Sequence, residues 1–109
     1  MIPFEHLSEL QFVCEGAREM CEGVQVYIHL PALKLPDGCN LKEVEALLCV
    51  SPHSGYPTRL FLAQPAGRGA NPSTHCILGR TWHTWSWNNV PNTLRPVEIL
   101  VEHLRGLRA

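Results

Sequence analysis

Apolar and polar positions alternate from Val24 to Leu30 (Val-Gln-Val-Tyr-Ile-His-Leu), and the run is rich in β-branched and aromatic residues, so it predicts a half-buried strand. Glu43 to Val50 begins with the same alternation and ends fully apolar, which suits a central strand stopped by Pro52 and Gly55. Arg59 to Ala63, bounded by Pro57 and Pro65, reads as a further short strand. Leu7 to Cys14 is too short for its period to separate helix from strand, and we read 10–18 as a strand. These four segments form a meander of hairpins. The period then changes: Leu94, Val97, Leu100, Val101, Leu104 and Leu107 recur at three- and four-residue steps, predicting one amphipathic helix near the C-terminal end. Asn92 or Thr93 is positioned to cap it, with Pro96 in its first turn. Between the last strand and this helix lie residues 64–93, a stretch of weak periodicity and a candidate functional loop. The expected class is α+β.

A chain of 109 residues is expected to form a single domain over 1–109, because one this short rarely builds two separate cores. Nine Lys and Arg against ten Asp and Glu leave no cationic excess for phosphate backbones, so nucleic acid is not an expected partner. The longest apolar run, Ala46 to Val50, is far below the ~20 residues of a membrane helix, and no membrane association is expected. The first residues, Met-Ile-Pro-Phe-Glu-His, lack the basic and apolar regions of a secretory leader, so the expected location is the cytoplasm. In that reducing setting the five cysteines, 14, 21, 39, 49 and 76, stay as thiols.

The candidate chemistry lies in the long loop. It contains His75-Cys76, then Gly79-Arg80, then Trp82, Trp85 and Trp87. A thiol attacks as thiolate, and a neighbouring imidazolium or guanidinium favours that form, so Cys76 beside His75 and Arg80 is the best-placed nucleophile. The competing reading makes Cys76 a small buried apolar residue. Cys14 and Cys49 fall within strands and read as core, while Cys21 and Cys39 adjoin glycine turns with no polar constellation. No C-x₂₋₄-C or H-x₃₋₅-H pair supports a metal, no G-x-S-x-G element supports a serine hydrolase, and Gly67-Arg68-Gly69 is too short for a phosphate loop. No cofactor is expected. The three tryptophans read as packing groups that pin the loop.

Several blocks carry a resemblance: Leu35-Pro36-Asp37-Gly38, Ser51-Pro52 with Gly55-Tyr56-Pro57, Leu78-Gly79-Arg80-Thr81-Trp82-His83-Thr84-Trp85-Ser86, and Arg95-Pro96. With the order of elements they make the chain similar to the ubiquitin-conjugating (E2, UBC) fold. It resembles in particular the prokaryotic E2 family E, which occurs beside ubiquitin-like, E1-like and JAB-type peptidase proteins in bacterial operons related to antiviral defence. The resemblance implies an E2-like domain with a four-stranded antiparallel meander, a long active-site loop, a C-terminal helix and an N-terminal helix that is reduced or absent. It implies an E2-type transferase whose Cys76 receives a ubiquitin-like protein as a thioester from an E1-like enzyme and passes it to a target. A JAB-type peptidase is a further implied partner. The alternative is an inactive E2-fold module that binds the ubiquitin-like protein and the E1-like enzyme. The His-Pro-Asn tripeptide of eukaryotic E2 enzymes is missing. Asn71, followed by Pro72, is the candidate for its supporting asparagine.

Overall fold

Leu7, Leu10 and Cys14 are spaced at three and four residues, and in the computed structural model, which describes residues 2–108, they belong to a helix and its cap. This helix, α1 (Phe4–Val13), buries Leu10 and Cys14 in the core. It replaces the strand expected at 10–18, and an N-terminal helix is present where the resemblance implied a reduced or absent one. The first strand comes later, as β1 (Arg18–Glu22), followed by β2 (Gln25–Lys34), β3 (Glu43–Cys49), β4 (Arg59–Leu62), β5 (Ser73–Ile77), β6 (Arg80–Thr84) and helix α2 (Pro96–Gly106). The fold is α+β, with two helices and a six-stranded antiparallel sheet among the described residues, in the order β1-β2-β3-β4-β6-β5. Three of the four expected strands are found, as β2, β3 and β4, while β1 and the β5–β6 hairpin inside the stretch 64–93 were not expected.

Alternation along β2, β3 and β4 sorts their side chains onto two faces. Ile28, Leu30, Val44, Ala46, Leu48, Leu60 and Leu62 join Leu10 of α1 and Ile99, Leu100 and Leu107 of α2 in the larger core. Tyr27, Leu47, Cys49 and Phe61 point the other way and pack with Ile77 and Trp82. The hairpin therefore covers the face that the helices leave open. It meets β4 where Leu62 stands opposite His83, and from there it swings across the sheet. Arg80 reaches Glu45 on β3, and the Leu78 amide donates to the Glu22 carboxylate at 2.6 Å.

Local chemistry explains most of the remaining detail. Pro31 cannot donate to a ladder, and the β2–β3 register shifts between Leu30 and Leu33 around it. Helix α2 begins at Arg95 rather than at Asn92 or Thr93: Pro96 occupies the first helical position, and the Glu98 carboxylate accepts the Arg95 backbone N–H at 3.0 Å. No helix among the described residues is long and apolar enough to cross a membrane.

Candidate functional site

The β5–β6 hairpin turns on Leu78 and Gly79, with φ of 52° and 74°. Two consecutive positive φ values make a type I′ turn, whose twist matches that of the strands. The register pairs Ser73 with Thr84, Thr74 with His83, His75 with Trp82, Cys76 with Thr81, and Ile77 with Arg80. Strand neighbours point to opposite faces, so Ser73, His75, Ile77, Arg80, Trp82 and Thr84 share the face turned toward the sheet. Thr74, Cys76, Thr81 and His83 share the outer one.

Cys76 is exposed, as is Cys21, whereas Cys14 and Cys49 are buried and Cys39 is half-buried. The reading of Cys76 as an apolar core residue is thereby set aside. His75, however, lies on the other side of the strand from it. Its ring meets those of Phe61 and His53 edge-on, at centroid distances of 5.6 and 5.7 Å. Burial there, with the Arg59 charge nearby, holds the His75 imidazole below its ordinary pKa, so it stays neutral through a wider pH range.

Arg80 also faces away from Cys76. Its guanidinium forms a fork with Glu45, both N···O distances being 2.9 Å, and lies over the Trp82 ring at 4.7 Å. His29 adds Nε2 to the same carboxylate at 2.6 Å. Hydrogen bonds from Arg80, then from His29, hold the Glu45 carboxyl down to about 2. Asn71 sits in the turn before β5 with φ 47°, and the strand from Ser73 to Cys76 alone spans about 10 Å. The four sequence candidates are therefore not one constellation: Cys76 stands on the outer face, His75 and Arg80 are turned inward, and Asn71 lies up the strand.

His83 was missed by the sequence reading. It shares the outer face with Cys76, diagonal to it across the ladder, and lines a crevice with Leu62, Pro65, Ala66 and Trp85. The signal that finds it is the hairpin register, since only that register puts residues 76 and 83 on one side. Trp82 donates its indole N–H to the Ile77 carbonyl at 3.1 Å, and Trp87 donates to the Glu102 carbonyl at 2.9 Å. Trp85 packs in the helix-side core. All three rings fasten this segment to the body, as the sequence suggests.

A second polar cluster lies beneath the hairpin. His53 Nε2 is 3.0 Å from the Tyr27 hydroxyl and its Nδ1 is 2.8 Å from the Ser54 hydroxyl, which also accepts from Arg59 at 2.8 Å. Burial, then the Cys49 and Glu22 charges, push the Tyr27 phenol up to about 12, so it remains a donor. Among the described residues no group of three or more His, Cys, Asp or Glu side chains converges as a metal site. Compared with known proteins, the chain matches no family model, no curated protein and no solved structure.

Proposed function

We propose that the protein is an E2-like carrier of a ubiquitin-like protein, with Cys76 as the acceptor thiol. The observation that supports this most is the exposure of Cys76 on the outer face of a hairpin whose inner face is tightly anchored. A thiol so placed is reachable by two large proteins in succession. The reaction is an acyl exchange between sulfurs: the Cys76 thiolate attacks the carbonyl of the thioester on an E1-like enzyme, the new C–S bond forms, and the E1 thiolate leaves. An amine of the target then attacks the Cys76 thioester, the C–N bond of an amide forms as the C–S bond breaks, and the proton lost by nitrogen returns the Cys76 sulfur to the thiol. Each attack builds an oxyanion that needs hydrogen-bond donors. His83 shares the face with the thiol and takes the place given to His75 in the sequence reading. His75 and Arg80 act as positioning residues, fixing the hairpin from beneath. The setting, drawn from the resemblance alone, is antiviral defence in a bacterial cytoplasm, with a JAB-type peptidase in the same pathway.

Incubation with the E1-like enzyme, ATP and the ubiquitin-like protein should give an adduct that reducing thiols cleave. It should vanish in Cys76→Ala and persist in Cys21→Ala. An adduct that survives Cys76→Ala moves the chemistry to another cysteine. A second reading, an inactive E2-fold module, is favoured by one observation, that His75 and Arg80 are engaged on the opposite face. Stable binding of the ubiquitin-like protein with no adduct would select it.

A further inference from the structure

The edge strand that carries Cys76 is open along its free side. In a two-residue hairpin the residues flanking the turn exchange both main-chain hydrogen bonds, so Ile77 and Arg80 are such a pair. Alternation makes His75 with Trp82, and Ser73 with Thr84, the next inward-bonding pairs. The N–H and C=O groups of Thr74 and Cys76 therefore point away from β6. Among the described residues neither amide meets an acceptor outside the ladder, in contrast to Leu78, whose amide is capped by Glu22. Thr74 and Cys76 are both exposed.

The opposite edge of the sheet differs. β1 is also five residues long but carries Arg18, Glu19 and Glu22, the charged decoration that discourages strand addition. β5, Ser-Thr-His-Cys-Ile, has no proline and no residue charged at neutral pH, its one imidazole being turned inward and held neutral. Nothing in its sequence guards it.

We propose that β5 receives an extended peptide tail by strand addition, and that the tail's terminal carbonyl is thereby delivered to the Cys76 sulfur. The inference rests on the carrier reading above and names how its acyl donor is held. Direction follows from the geometry. A tail that pairs with Thr74 and Cys76 before its last carbonyl reaches the thiol must run parallel to β5. An antiparallel tail would enter over Leu78 and Gly79 and reach Cys76 after pairing with little of the strand. The uncharged outer surface of Thr74 and Thr81 suits small neutral side chains on the tail.

The test uses the full chain and no other enzyme. Two thioesters of the same small thiol are compared: N-acetylglycine, and a soluble peptide of about eight serine, threonine and valine residues ending in glycine. In both, the Cys76 thiolate takes the acyl group and the small thiol leaves. The peptide should load Cys76 at least roughly tenfold faster than N-acetylglycine, because pairing holds the carbonyl beside the sulfur. Thr74→Pro removes an outward N–H without touching the β6 ladder and should erase that advantage. Thr74→Ala, which retains that N–H, should keep it, the advantage being read in each protein as its peptide rate over its own N-acetylglycine rate. Amide exchange in Cys76→Ala gives a second measurement: the peptide as its C-terminal amide should slow exchange at residues 74 and 76 specifically. Equal loading by both thioesters, with no slowed exchange, overturns strand addition while leaving the carrier reading standing. Slowed exchange with no loading of Cys76 by either thioester keeps the docking edge and overturns the carrier.

Discussion

Gly106 stands in the last turn of α2 where the two tryptophans after β6 close over the helix. A Cβ there would lie 2.7 Å from Trp87 Cδ2 and 2.9 Å from Trp85 Nε1. Alanine normally gains about 1 kcal/mol over glycine inside a helix, but overpacking two rings costs roughly 1–3 kcal/mol. Gly106→Ala should therefore lower stability by about 1 kcal/mol, read from the urea midpoint, where helix propensity alone predicts a rise. Leu78 has the opposite logic. It adopts a left-handed conformation that asparagine or glycine usually fills, so the Leu-Gly pair hides a type I′ turn from any scan for Asn-Gly or Asp-Gly.

The β5–β6 hairpin is held as an element by three anchors of different kinds. Ile77 and Trp82 fill the open face of the sheet, the Glu22 carboxylate caps the turn, and Glu45 ties Arg80 to His29. An isolated hairpin is marginal in water, so its order depends on these contacts. Glu45→Gln removes the charge of the central anchor and leaves the apolar one. We expect faster amide exchange at residues 75–82 with little change in α1 or α2, measured by hydrogen exchange. Uniform acceleration through the whole chain would mean that the hairpin and body open together. At this scale the sequence is legible where an element buries one face continuously: β2, β3, β4 and α2 all follow their periodicity. β5 and β6 were not legible, because Ser-Thr-His-Cys-Ile and Arg-Thr-Trp-His-Thr each carry only one or two core side chains.

Across the whole molecule the response to acid is set by imidazoles held neutral. His103 on α2 is 2% exposed, with Nε2 2.8 Å from the Thr58 hydroxyl. That hydroxyl donates to the Val90 carbonyl, so the His103 Nε2 carries the proton and donates to it. Burial, then the Arg59 charge, hold its pKa down to about 4. Because the folded value lies below the unfolded one, the unfolded chain takes up the proton first as pH falls. The stability tied to His103 is thus full above about pH 6.5 and is lost progressively down to about 4, amounting to about 3 kcal/mol. His53 and His75 are shifted the same way and add to the loss. Urea midpoints should fall between pH 7 and pH 4.5, and the fall should shrink in His103→Gln. Glu45 adds a further loss below that range, from its ordinary 4.5 down to about 2, where the unfolded chain takes up the proton first.

The chain by itself determined the α+β class, the three inner strands, the closing helix and the segment in which an accessible thiol would be found. Those follow from periodicity and composition, which act over a few neighbouring residues. Tertiary structure alone decided which face of the sheet the hairpin covers, and through its register that His83 rather than His75 shares a side with Cys76. One residue of register exchanges every side chain between faces. That choice is made by contacts with Tyr27, Leu47 and Phe61, distant along the chain and invisible in any local window.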